Sequence, residues 1–213
     1  MKNNEAQIMP KTTDHPTLSS LASIRAGFTF REKVNEAPNG NARILQIKDL
    51  RRQQDNQKSS VLTATNLPAI KWEGASKAAL LPDSIVVPAR GEYTKASYIK
   101  AELVEAPIIV SSQFLIVTPN KEKVSTAYLC WVINQPAAQH FLAQESRGTN
   151  IPMLNTKSLG QLKIPLPSIR TQRQIVELQQ LWEQEQQLTQ ALLNNRQTML
   201  TGMFQQLLKE DHQ

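Results

Sequence analysis

Cysteine is almost missing from this sequence and glycine is scarce, with one Cys and 7 Gly in 213 residues. A lone Cys130 excludes an internal disulfide. The only histidines, His15, His140 and His212, lie far apart, so no Cys/His cluster has the spacing of a zinc site. Cys130 sits in Tyr128-Leu129-Cys130-Trp131-Val132 and reads as a buried thiol, and His140 as a helix-surface or packing residue. With so few glycines, no glycine-rich loop follows a strand pattern. That excludes a Walker-type phosphate cradle and a dinucleotide fingerprint, and argues against S-adenosylmethionine binding by this chain. Asn134-Gln135-Pro136 lacks the second proline and the aromatic that an amino-methyltransferase uses on a flipped base. No apolar run approaches the ~20 residues of a membrane span. Met1-Lys2-Asn3-Asn4-Glu5 lacks a signal-peptide core, so a soluble cytoplasmic protein is expected.

One nuclease-like pattern is present. Pro82-Asp83 precedes Glu92-Tyr93-Thr94-Lys95, as in metal-dependent nucleases that set an acid and a lysine two residues apart on one strand face. Here Glu92 and Lys95 are three apart and would face opposite ways, and Pro82-Asp83 reads as a turn. A small nuclease using Asp83, Glu92 and Lys95 is an alternative reading, as is a coiled-coil scaffold with a basic body.

The charge is unevenly placed. Residues 17–167 carry 18 Lys/Arg against 11 Asp/Glu, whereas residues 168–213 carry 4 against 5 and residues 1–16 carry 2 against 2. The positive excess therefore belongs to the middle of the chain, as expected of a polyanion-binding body attached to a neutral interaction segment.

Three regions follow: a loose polar tail at 1–16, a mixed α+β body at 17–167, and a rod at 168–213. In the body, Leu18–Ile24 is a short amphipathic segment, and Phe28 and Phe30 alternate as in a strand. Arg43–Lys48, Val61–Thr65 and Ile85–Val87 read as strands, with Asp49–Asp55 as a charged loop. Pro107–Val110 and Phe114–Val117 read as a strand pair around Ser111-Ser112-Gln113. Thr126–Ala143 reads as a helix that Pro136 kinks or splits, and Ile151–Ile164 as a last strand region.

Pro165 and Pro167 then forbid a helix across them. Thr171-Gln172-Arg173-Gln174 has the Thr-x-x-Gln form of a capping box, so a helix is expected from about 171 to 208. Ile175, Leu178, Leu181, Trp182, Leu188, Leu192, Met199, Met203 and Leu207 form an apolar stripe, interrupted by Glu185 and Arg196. A stripe this long cannot be covered by so small a body and calls for another helix. Removing residues 171–213 should leave the body folded. Gly202 marks either a kink or the end of the paired region.

Candidate DNA contacts lie beside Gly-bearing turns: Arg25, Thr29 and Arg31; Lys48, Arg51 and Arg52; Arg90, Tyr93 and Lys95; Arg147, Thr149 and Asn150. Such side chains can hold phosphates or base edges.

Taken in order, Leu18–Arg31, Arg43–Leu50, Leu81–Gly91, Arg147–Ile151 and above all Leu159–Val176 (LGQLKIPLPSIRTQRQIV) resemble the target recognition domain and following helix of the specificity subunit of type I restriction-modification systems. The resemblance spans roughly 17–208. It implies a non-catalytic body that reads a few base pairs of double-stranded DNA. It also implies a helix that joins an antiparallel coiled coil and docks adenine methyltransferase subunits. Those subunits, not this chain, carry S-adenosylmethionine, and a restriction subunit can join them. The family usually has two such bodies and two such helices in tandem. A single set implies a homodimer reading an interrupted palindrome, or pairing with a second specificity half.

Overall fold

A computed structural model of the chain describes residues 15–57, 59–90, 95–100, 106–146 and 153–210. Along it run α1 (Leu18–Leu21), β1 (Ala22–Ala26), β2 (Ala42–Leu45), α2 (Ile47–Gln57), β3 (Ala69–Ile70), β4 (Ile85–Pro88), β5 (Ser97–Tyr98), β6 (Ile108–Val110) and β7 (Phe114–Pro119). Then come α3 (Thr126–Ile133), α4 (Pro136–Glu145), α5 (Thr156–Gly160) and α6 (Ile169–Glu210). One sheet has the order β1-β7-β4-β5, antiparallel throughout. The other has the order β3-β2-β6, with β2 parallel to β6.

Alternation along the strands builds the layers. In β7, Leu115 and Val117 face a core shared with Leu129, Ile133, Leu142 and Leu159 of the helices, while Phe114 and Ile116 face Leu45, Leu50 and Val110. β4 divides likewise, Ile85 and Val87 to one side and Val86 to the other. Ile109 of β6 faces a third cluster with Ile44 and Ile70. Strands covered on both faces must be apolar at every position, which is why they read as continuous Ile/Val runs. Each such residue, fully buried, contributes about 1.5–3 kcal/mol.

The α+β reading holds, with local corrections. Asp49–Asp55 is helix, not loop. The Asp49 carboxylate accepts the Gln46 amide at 3.1 Å and lies 3.8 Å from Arg52, so it caps the first turn and pairs along it. β6 and β7 do not pair with each other. The Ser111–Gln113 turn carries the chain from the three-stranded sheet to the four-stranded one. Val61 makes only an isolated bridge to Tyr98. The last region is helix α5, flanked by bridges at Met153 and Lys163, because Asn155 caps it through Oδ1 to the Ser158 amide at 2.8 Å. Pro136 does split the helix, sitting in the first turn of α4.

The rod starts earlier than the Thr171 cap implied. Ser168, the first residue free of proline, accepts the Thr171 amide at 3.2 Å. Helix α6 then runs for 42 residues, about 63 Å, straight through Gly202. Its base is clamped to the body. The wholly buried Gln172 accepts the Ser125 amide through Oε1 at 3.0 Å and donates Nε2 to the Pro167 carbonyl at 3.0 Å. Tyr128 Oη donates to the Pro165 carbonyl at 2.8 Å.

Candidate nucleic-acid interface

Three segments that carry DNA-contact candidates converge on one turn. Gly27 passes so close to Ser111 that an added Cβ would lie 2.1 Å from its carbonyl oxygen, so no side chain fits there. The next residue, Phe28, donates its amide to Val110 at 2.7 Å and accepts the Ser112 amide at 2.8 Å. That pins the segment of Arg25, Thr29 and Arg31. The Ser111 amide reaches Leu45 at 3.1 Å, and α2 with Lys48, Arg51 and Arg52 starts two residues further on. Ala89 donates to Gln113 at 2.7 Å and accepts the Leu154 amide at 2.8 Å, and Arg90 bridges Met153. The Ser111-Ser112-Gln113 turn is thus the hub, and it was missed as a site element because its small polar residues resemble any turn. Exposed Gln113 joins the candidates.

The candidates differ in how their side chains are used. Thr29, Arg31, Arg51 and Arg90 are exposed. Lys48, also exposed, donates to Glu36 at 3.0 Å, a surface pair worth little. Arg52 donates to the Asn66 carbonyl at 3.0 Å, with its head largely in solvent. Arg25 is different. It points inward and donates to the Ala79 carbonyl at 2.8 Å, and burial pulls its basicity down. Its first role is to bind the loop before β4 to β1. Lys95, also exposed, lies in a different setting: with Trp131, Asn134, Gln179, Trp182 and Glu183 it lines a cleft of about 600 Å³ where α6 departs from the body. Tyr93, Arg147, Thr149 and Asn150 lie outside the described residues.

Asp49 sets the position of α2 and hence of its cations. Burial pushes its carboxyl above the ordinary value, although the Gln46 amide and the Lys48 and Arg52 charges pull it back. A carboxyl that keeps its proton to higher pH when folded than when unfolded lowers stability as pH rises through that window. Asp49→Asn retains an acceptor for the Gln46 amide without the charge. It is expected to raise the melting temperature near pH 7, with the gain shrinking toward roughly pH 4, where unfolded carboxylates protonate. Melts at the two pH values check this; an equal gain at both refutes it.

Residues of the other readings are accounted for structurally. Asp83 occupies the third position of a Leu81–Ser84 turn, with φ 57° and the Ser84 amide on the Leu81 carbonyl at 3.3 Å. Its carboxylate pairs with Lys121. Glu92 lies outside the described residues. Cys130 is fully buried and burial pushes its thiol up, while Tyr98 is pushed up to about 12, both mainly by desolvation. His140 is exposed on α4 and pairs with Gln144 at 2.9 Å.

The rod divides at about Glu183. Gln172, Ile175, Val176, Gln179 and Glu183 face the body, one helical face over three turns. Ile175, placed by its spacing in the partner stripe, therefore packs on the chain's own core together with Val176. Leu178, Leu181, Trp182, Leu188, Leu192, Met199, Met203 and Leu207 are exposed, Leu188 at 64%. So are Leu193, Leu200, Phe204 and Leu208, each one residue after a stripe position, which widen the seam. No helix among the described residues is long and apolar enough to cross a membrane, so this face is not a membrane span.

This body-and-rod arrangement has counterparts among solved structures. A crystal structure of the HsdS subunit from Thermoanaerobacter tengcongensis matches with a TM-score of 0.55 at 17% identity, over 89% of this chain and 42% of that one. A structure reported for complex assembly and conformational transition of the type I R-M system matches with a TM-score of 0.58 at 19% identity, over 89% and 43%. The S subunit of a type I restriction-modification system from M. genitalium matches with a TM-score of 0.51 at 11% identity, over 83% and 41%. The chain thus spans under half the length of these structures, and the likeness at such identities is one of fold. No curated protein matches it. The sequence profile described as type I restriction modification DNA specificity domain matches residues 10–195, which takes in the body, the clamped base and the stripe through Leu193, and by that match the chain belongs to this family.

Proposed function

We propose that this chain is a DNA-specificity component that does no chemistry itself. Its body reads one half-site of double-stranded DNA, and its rod assembles the complex, recruiting adenine methyltransferase subunits that hold S-adenosylmethionine and, with them, a restriction subunit in the cytoplasm. The observation that carries this reading is a basic body whose exposed Arg and Thr side chains collect around one turn, mounted on a helix whose apolar face is uncovered beyond the clamped base.

The partner rod is a second copy. Antiparallel pairing centred on Gln197 sets Glu185 across from Lys209, whereas parallel pairing sets Glu185 and Arg196 each against its own copy. In the antiparallel arrangement the two points where the rods leave their bodies, near residue 184, lie about 39 Å apart. That is close to one turn of duplex, ~34–36 Å, so two heads can read the same groove on successive turns. Twofold symmetry makes the target an interrupted palindrome. Co-expression with a methyltransferase subunit of such a system, followed by mapping of methylated adenines, tests this. One interrupted palindrome and two copies per assembly are expected. An asymmetric bipartite target would replace the homodimer by a mixed pair, and methylation without sequence preference would overturn the reading.

A further inference from the structure

At the hub of the basic loops sits an apolar side chain that the phosphate-contact reading does not use. Phe28 is 38% exposed, although it lies between Gly27 and Thr29 in the middle of the polar candidates. Its backbone is held on both sides, by Val110 and by Ser112. Its ring is held edge-on by Phe30 at 5.1 Å and 76°, and by Trp72 at 4.9 Å and 89°; Phe30 and Trp72 also meet, at 6.1 Å. Trp72 is fixed in turn by Asn41, which accepts the Trp72 amide at 2.7 Å and donates to its carbonyl at 2.9 Å. The triad is a rigid pedestal, since perpendicular aromatic packing of this kind restricts both ring and backbone.

The pedestal is not arranged for stability alone. The Trp72 indole N–H is buried and has no hydrogen-bond partner among the described residues, an arrangement that costs about 1–3 kcal/mol. A half-exposed aromatic standing on such a support breaks two local rules at one place, and such violations concentrate where a protein binds something. Among cations that hold phosphates, a fixed apolar knob has a direct counterpart on the edge of a stacked base pair, the thymine C5-methyl group in the major groove.

We propose that Phe28 is a specificity-determining residue that reads a thymine methyl, with Phe30 and Trp72 as its positioning residues. This rests on the assignment of the Ser111–Gln113 face to DNA. The knob rewards a methyl at one position and leaves cytosine, which has hydrogen there, without a partner.

The test uses the complex assembled with its methyltransferase and the DNA that it methylates. Each thymine of the half-site, on either strand, is replaced singly by deoxyuridine, which removes only the methyl. One position is expected to lose about fourfold in affinity, the worth of one buried methyl-sized group. The same replacement is expected to cost nothing in a Phe28→Ala complex and to keep part of its cost in Phe28→Leu, which retains apolar bulk with less risk to folding. A deoxyuridine scan of the unaltered protein with no sensitive position overturns the proposal, as does a penalty that persists undiminished in Phe28→Ala. Arg51→Glu separates this from the assignment of the face. If it abolishes binding while the scan is silent, only the thymine reading falls; if it changes nothing, the face itself is misassigned.

Discussion

A chain ending at Gln187 is expected to fold with a melting temperature within a few degrees of the intact chain, to be monomeric, and to lose every assembly that depends on the rod. Among the described residues, what it sheds is exposed helix. A chain ending at Arg170 is expected to behave differently, although it differs by less than five helical turns. It lacks Gln172, which satisfies both the Ser125 amide and the Pro167 carbonyl, and it uncovers the core surface under Ile175 and Val176. Two half-covered aliphatic side chains at about 1 kcal/mol each and two part-buried hydrogen bonds at about 0.5–1.5 kcal/mol each sum to roughly 3–5 kcal/mol. That is a large part of the 5–15 kcal/mol typical of a whole domain. Thermal melts and sedimentation of the two truncations check the result. If the Arg170 chain melts like the Gln187 chain, the clamp contributes nothing and the division between body and rod belongs at Pro167 after all.

That division shows what can be read from sequence here and what cannot. The helix, its length and most of its stripe follow from spacing, because a pattern repeated over many turns leaves few alternatives. Where the stripe changes partner does not follow. Ile175 and Leu178 are both apolar and one turn apart, yet the first packs on the body and the second on nothing in this chain. Only the direction in which the rod leaves the body separates them, and that is fixed by long-range bonds from Ser125 and Tyr128. The body follows the same logic. The Ile/Val runs announce buried strands, but a run covered on both faces carries no record of its neighbours. So β6 and β7, three residues apart, looked like a hairpin and in fact belong to different sheets. Asp49–Asp55 looked like a loop because it is nearly all polar; a single buried Leu50 and the Asp49 cap hold it as a helix. The candidate DNA contacts were found by residue type beside turns, a criterion blind to orientation. It therefore grouped Arg25, which faces the Ala79 carbonyl, and Lys95, which lines the cleft beside the rod, with Arg31 and Arg90.

Orientation gives that grouping an expected result. Replacing Arg31, Arg51 and Arg90 together by Ala should weaken DNA binding of the assembled complex on the order of 100-fold near 0.15 M salt. The slope of log affinity against log salt should become shallower by about 0.9 for each phosphate that is no longer neutralised, up to ~2.7 for all three. The three residues lie on the segments that the Ser111–Gln113 turn gathers, from β1, from α2 and from the end of β4, so their loss should be felt on any DNA. Lys95→Ala should leave the slope unchanged, because Lys95 lines the cleft beside Trp131 and Trp182 and not the Ser111–Gln113 turn. Arg25→Ala should also spare the slope and instead cost about 0.5–1.5 kcal/mol of stability, since it removes a part-buried hydrogen bond to the Ala79 carbonyl. Fluorescence anisotropy titrations at four salt concentrations, with denaturant melts alongside, separate the three outcomes. A full salt slope in the triple variant would place the polyanion on another face of the body. A reduced slope in Lys95→Ala would move it toward the cleft, where the rod, rather than the turn, would have to hold the duplex.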